Sequence, residues 1–206
     1  MRSQIKPHFL YNALNAIATL CINAPHKAEE LTLSLSEYLR SSFDFKQLDA
    51  LVPLSHELEL VEAYVRIEQA RFGGRLQVEY EIDADRNVRI PPLSLQPLVE
   101  NAIRHGLMSR LVGGKVRISA KELPGAGIRF EVADNGKGIN EYVRKELLDP
   151  DQVRDRKGVG LWNINRRIKL LYGTSIQLDS IEGVGTTVSF TVPTRAVEPV
   201  GRADCC

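Results

Sequence analysis

Apolar positions in the first 72 residues recur with a helical period. Leu10, Leu14, Ile17 and Cys21 fall at i, i+4, i+7 and i+11, one stripe along a helix. Asn23 to Pro25 interrupts that segment. Leu31, Leu35, Tyr38 and Ser42 then share one face of a second helix, widened by Leu39 and Phe43. Asp49 to Pro53 reads as a loop. Ser55 has the character of an N-cap, with Glu57 and Glu59 in the following turn, where the helix dipole favours carboxylates. Leu58, Val61, Val65 and Phe72 continue a third stripe, and Gly73-Gly74 supplies its stop. Beyond Gly74 the period switches to two. Leu76, Val78, Tyr80 and Ile82 alternate with polar residues, as in a half-buried strand. Pro91-Pro92 is a hard break. Ser94 to Leu107 reads as helix, with Pro97 in its first turn, where proline is tolerated. Val116 to Ala120 and Ile128 to Val132 read as strands about the turn Pro124 to Gly127. The polar stretch from Asn140 to Lys157 has no clear strand. Leu161 to Tyr172 is helical and stops at Gly173. Two strands close the pattern near Ile176 to Ile181 and Thr187 to Val192, joined through Gly183 and Gly185. The pattern predicts an α+β chain. Residues 1–73 form a helical region, 74–194 an α/β region of about five strands, and 195–206 a polar, flexible tail.

Composition narrows the classes. The 206 residues are 43% hydrophobic and 26% charged, an ordinary globular balance. Lys plus Arg is 27 against 26 for Asp plus Glu, so a nucleic-acid partner, which favours a basic excess, is not expected. No run of about 18 apolar residues offers a membrane span, and no apolar signal core follows Arg2 and Lys6. Cys21, Cys205 and Cys206 are an odd set with two members in the tail, which suits a reducing cytoplasm. His8, His26, His56 and His105 have no Cys or His at zinc-ligand spacing, so a structural metal is not expected.

The chemistry concentrates in four segments. Asp134-Asn135-Gly136-Lys137-Gly138 follows a strand, where an acid accepts a hydrogen bond from a ligand's amine edge and glycines admit close approach. Gly158-Val159-Gly160-Leu161 opens a helix, a setting that offers N–H groups to phosphate. Gly183-Val184-Gly185-Thr186 joins two strands. Each alone is also an ordinary turn. The fourth, Glu100-Asn101-Ala102-Ile103-Arg104-His105-Gly106, places Asn101 and His105 on one face. An amide oxygen suits Mg²⁺, and Arg104 suits phosphate, although a partly exposed helix end explains the same residues.

Taken in chain order, with Glu100 to Gly106 first, the segments resemble the N, G1, G2 and terminal glycine boxes of the GHKL ATPases, the superfamily of histidine kinases, gyrase B and MutL. The resemblance covers about residues 75 to 194 and implies a Bergerat α/β sandwich with a mixed sheet. It implies ATP and Mg²⁺ as cofactors, Asp134 on the adenine amine and Asn101 on Mg²⁺. Gly136, Gly138, Gly158 and Gly160 would shape the cleft, with residues 140–157 as a lid. Glu100, Arg104, His105, Lys137, Leu161 and Thr186 lie in the same boxes and are assigned to the ATP site. Gln4 to Asn15, with Pro7-His8-Phe9-Leu10-Tyr11-Asn12, resembles the phosphoacceptor box of LytS/YesM-like sensor histidine kinases. Residues 35–43 and 92–106 are also similar to that family. The resemblance implies a two-component transmitter: autophosphorylation on His8, transfer to a response-regulator aspartate, and homodimerisation through the helical region. It implies a cytoplasmic module attached to a membrane through an N-terminal sensor region that this sequence does not include.

The residues agree with this reading. A neutral imidazole is nucleophilic, and His8 lies about 200° from Leu10, off the predicted buried stripe. Pro7 within a helix would kink it against the carbonyl of Ser3. Phe9 stands where many histidine kinases carry an acid, so no general base is assigned. Asn12, one turn on, either orients water for regulator dephosphorylation or orders the kink. The rival readings are another GHKL ATPase and a degenerate kinase serving as scaffold or nucleotide sensor.

Overall fold

The computed structural model describes residues 7–44, 51–107, 113–148 and 159–193. Gly158 and the tail lie outside them, as does the predicted kink against Ser3.

Three helices begin the fold: α1 (Pro7–Asn23), α2 (Pro25–Asp44) and α3 (Leu54–Phe72). The predicted face of α2 is the packed one, with Leu31, Leu35, Tyr38 and Ser42 all buried. Phe9, Tyr38 and Tyr64 bring one ring from each helix together, with centroids 5.0 to 6.0 Å apart. The α1 stripe holds in part, with Leu10 and Ile17 half-buried against the core. Phe9 and Ala13 are buried, whereas Leu14 and Cys21 are exposed. This helix carries apolar residues on two faces, and the Phe9 ring decides which one meets α2 and α3.

Helix α3 starts one residue before the predicted cap. Pro53 occupies the cap position, and the N–H groups of Leu54 and Ser55 donate to the carbonyls of Val88 and Arg86 at 2.8 and 2.9 Å. With those donors satisfied by main chain, the Ser55 hydroxyl is not needed as a cap. The same segment is fastened by β1 (Val52–Pro53), paired antiparallel with β3 (Arg89–Ile90). Gly73, with φ of 58°, ends α3 and donates its N–H to Gln69.

The main sheet has five strands. These are β2 (Leu76–Ile82), β4 (Gly114–Leu123), β5 (Gly127–Asp134), β6 (Gln177–Ile181) and β7 (Gly185–Val192), in the order β2-β4-β5-β7-β6. Strands β2 and β4 run parallel and the other neighbours antiparallel, so the sheet is mixed. One face buries Val116, Ile118, Phe130, Val132, Phe190 and Leu178. The other carries ion pairs such as Lys115–Glu79, Lys121–Glu81 and Arg117–Glu131.

Helix α4 (Gln96–Asn101) continues as a single π-type turn over Ala102–Leu107. Helices α5 (Glu141–Leu148) and α6 (Val159–Tyr172) follow. The first falls in the segment expected as the lid, where the sequence shows no clear strand. Asn140 caps it, its Oδ1 accepting the N–H of Val143 at 2.9 Å. One contiguous apolar core runs from Phe9 and Ala13 through Leu58, Val61 and Val65 to the inner face of the sheet. Among the described residues no helix is long and apolar enough to cross a membrane.

Candidate functional site

Burial of Leu95, Leu98, Val99, Ala102 and Ile103 orients the α4 segment. Its polar residues are left at the rim: Glu100 and Asn101 half-buried, Arg104 and His105 exposed. Glu100 and Arg104 approach to 4.0 Å across one turn. The π-type turn carries Arg104, His105 and Gly106, and such turns recur at functional sites.

Beyond this turn lies the end of β5. A side chain at Gly106 would place its Cβ 2.4 Å from Asp134 Oδ1, so only glycine admits this contact. A Cβ at Gly136 would meet the Gly106 carbonyl at 2.3 Å. Lys137 seals the junction by donating its N–H to the Gly106 carbonyl at 3.1 Å. The main chain of Gly136 and Thr186 donates to the Asp134 carboxylate, the Gly136 bond being 2.8 Å long. Desolvation nevertheless pushes the Asp134 carboxyl above its ordinary range, and those two hydrogen bonds pull it back. Gly138, at φ of 66°, brings the following segment against the Ile181 carbonyl.

The hairpin between β6 and β7 completes this end of the sheet. Thr186 Oγ1 and Ser180 Oγ lie 2.9 Å apart. Ser180 Oγ also accepts the N–H of Ile139 at 2.8 Å, tying the hairpin to the segment after Gly138. Helix α6 packs against α4, with Leu161 buried and Gly160 exposed in its first turn. A Cβ at Gly160 would meet nothing within 4 Å.

His8 stands apart, exposed on α1, with Asn12 Nδ2 donating to its Nδ1 at 3.0 Å. The chain therefore gathers Glu100, Asn101, Arg104, Asp134, Gly136, Lys137, Gly138 and Thr186 at the α4 and strand-end junction. Leu161 and Gly160 stand on the neighbouring α6, and His8 and Asn12 on the helical region. Of the other histidines, His26 is exposed and lies 3.5 Å from Glu30, and His56 is half-buried. Trp162 is half-buried beneath the Arg166 guanidinium, 5.4 Å from its ring centroid.

Three contributors escape the motif reading. Gly106 stands inside a recognised segment, but its steric contact with Asp134 is visible only in three dimensions. Ser180 belongs to no motif. Glu57 reads as a helix-dipole carboxylate, yet it is fully buried and bonds residues 36 to 38 positions away.

Two family models match the chain. Residues 1–76 match the histidine kinase family model. Residues 93–196 match the histidine kinase-, DNA gyrase B- and HSP90-like ATPase model. YwpD of Bacillus subtilis is 42% identical over 192 residues, covering 93% of this chain and 68% of that protein. The sensor histidine kinase YpdA of Escherichia coli is 40% identical, covering 98% of this chain and 35% of that protein. The sensor protein LytS of Bacillus subtilis is 39% identical, covering 96% and 34%. The chain thus spans about a third of the length of those two sensor proteins. Among solved structures, the histidine kinase domain of the Erythrobacter litoralis EL346 blue-light activated kinase superposes with a TM-score of 0.54 at 19% identity, covering 91% of this chain and 94% of that one. The catalytic domain of histidine kinase ThkA gives 0.52 at 20% identity, covering 71% and 97%. At these identities the likeness is one of fold.

Proposed function

The chain belongs to the histidine kinase family, and on that premise we propose that it transfers the γ-phosphoryl group of ATP to His8, for delivery to an aspartate of a separate response regulator. The observation that carries the reading is the Gly106–Asp134–Gly136 junction. It holds a half-buried carboxylate in a fixed direction beside the helix that bears Asn101.

Each residue has a part that its setting supports. Asp134, oriented by the N–H groups of Gly136 and Thr186, accepts a hydrogen bond from the adenine amine. The half-buried Asn101 amide presents an oxygen of the kind Mg²⁺ prefers, and Arg104 and Lys137 offset phosphate charge from exposed positions. When bound, Mg²⁺ supplies charge neutralisation at the phosphates. Residues 140–157 act as the lid, and α5 lies within it. A His8 ring nitrogen uses its lone pair to form the N–P bond as the bond from the γ-phosphorus to the bridging oxygen breaks, releasing ADP. Asn12 reaches the same ring.

We assign residues 1–73 to phosphoacceptance and dimerisation and residues 74–194 to nucleotide binding. The whole is the cytoplasmic module of a membrane receptor and a homodimer. The deciding experiment incubates the chain with Mg²⁺ and γ-labelled ATP beside a His8→Ala variant. Acid-labile label lost in the variant is the expected result. Hydrolysis without label assigns the chain to the wider ATPase class, and binding without turnover assigns it to a nucleotide-sensing scaffold.

A further inference from the structure

The core of the helical region holds a carboxylate that the chemistry above does not use. Glu57 has 0% exposure, among Leu54, Leu58, Leu60 and Val61 of its own helix. Its partners are main-chain N–H groups. Leu93 donates to one carboxylate oxygen, and Ser94 and Leu95 donate to the other, each at 3.0 Å. The Gln96 main chain adds a fourth bond. Leu93 is the single described non-glycine residue with positive φ, at 56°. A left-handed residue followed by helical ones turns successive N–H groups toward one point, a concavity suited to an anion. Here the chain's own carboxylate, reaching across from α3, fills it.

Two more contacts hold the same lead-in. Gln96 Nε2 donates to Tyr38 Oη of α2 at 3.3 Å, and the Arg167 side chain of α6 donates to the Pro92 carbonyl. The start of α4 is therefore gripped from α2, α3 and α6. An apolar residue would fill the position of Glu57 at lower solvation cost, because a buried carboxylate needs every partner it can find. Burial pushes its carboxyl upward in pKa, and the four main-chain hydrogen bonds oppose that push. A costly group kept at one point, with its bonds directed at one short segment, has a geometric task.

We propose that Glu57 is a positioning residue for nucleotide binding, setting the orientation of α4 and hence the placement of Glu100 and Asn101. It also fastens α4 to α3, the helix that packs against the His8-bearing α1. The proposal rests on the reading of α4 as one wall of the ATP site.

The test uses the full chain with Glu57→Gln, which keeps the shape, removes the charge and turns an NH₂ toward N–H donors. Hydrogen exchange, affinity for a fluorescent ATP analogue and the His8 labelling rate at saturating ATP are measured together. Exchange over residues 93–107 is expected to rise by about tenfold while residues 114–134 keep wild-type protection. Analogue affinity is expected to fall by about tenfold, the size seen when an outer supporting partner is lost. The labelling rate at saturating ATP is expected to fall as well, because Asn101, carried by α4, serves the transfer as well as the binding. An unchanged analogue affinity overturns the proposal, as does an equal loss of protection over 114–134, which marks a merely structural role. Should Glu57→Gln fail to fold, Glu57→Asp keeps the charge one methylene short and is read in the same way. A wild-type chain that binds no nucleotide sinks the ATP reading, and the exchange pattern at 93–107 then decides by itself whether Glu57 fixes α4.

Discussion

Two glycines of the site differ in what their missing side chains protect. At Gly106 a methyl group would overlap Asp134, whose carboxylate is pinned by two main-chain donors and cannot swing away without losing them. Gly106→Ala is expected to cost about 1–3 kcal/mol of stability, as overpacking does, and to weaken nucleotide binding. At Gly160 a methyl group meets open space in a helix. Gly160→Ala is expected to hold stability or raise it by up to about 1 kcal/mol, so any fall in affinity reports contact with the nucleotide alone. Denaturant melts paired with ATP-analogue titrations separate the two. Asp134 makes a pH argument. Burial raises its carboxyl above the ordinary 3.8, so the charged form is costlier in the fold than in the unfolded chain. Its contribution to stability is therefore fullest below pH 3.8 and is lost as pH rises through the raised value. Asp134→Asn should be no less stable than wild type at pH 7 while losing adenine recognition. A drop in stability matching the drop in affinity would show that the carboxylate is structural.

Helix α1 hangs on one aromatic side chain. Phe9 stacks on Tyr64 at 5.1 Å and meets Tyr38 at 5.0 Å, with Ala13 as the other buried residue of the helix. Phe9→Ala is expected to cost about 3–5 kcal/mol, the range for truncating a buried aromatic. Analogue affinity should fall less than His8 labelling, because Phe9 packs the helix that carries His8, whereas its partner Tyr38 reaches α4 through one hydrogen bond from Gln96. Parallel loss of both would mean that the two regions fold as one unit. The elements show where sequence suffices. Period-two alternation located β2, and glycine located the ends of α3 and α6, because those signals are local. The motif glycines were legible for the same reason. The buried side of α1 was legible in part: Leu10 and Ile17 of the predicted stripe pack against the core, while Leu14 and Cys21 face out and Phe9 and Ala13 are the buried residues. Glu57 was beyond reach. Its partners are Leu93, Ser94 and Leu95, and nothing in the spacing of a glutamate on an amphipathic helix tells which distant N–H groups it will meet.

The outward side of α1 bears on the whole molecule. Tyr11, Leu14 and Ile22 are 68%, 49% and 85% exposed, and with Ala18 and Cys21 they recur at helical spacing along the outside of α1. Leu33 of α2 adds another apolar side chain at 64% exposure. An apolar face of this kind, left exposed by the described residues, suits an association surface. Its spacing suits a helix from a second copy, with each copy offering the same face about a two-fold axis. His8 lies one turn before Tyr11, so such a dimer would set the phosphoacceptor of each copy at the edge of the shared interface. Light scattering at micromolar concentration should give twice the 23.0 kDa chain mass for the wild type. Leu14→Glu buries a charge in that interface and should return the single-chain mass with analogue affinity unchanged, because Leu14 lies exposed on the outside of α1 and belongs to none of the nucleotide-site segments. A wild type that runs at the single-chain mass would reject the dimer, and a dimeric Leu14→Glu would move the interface off this face of α1.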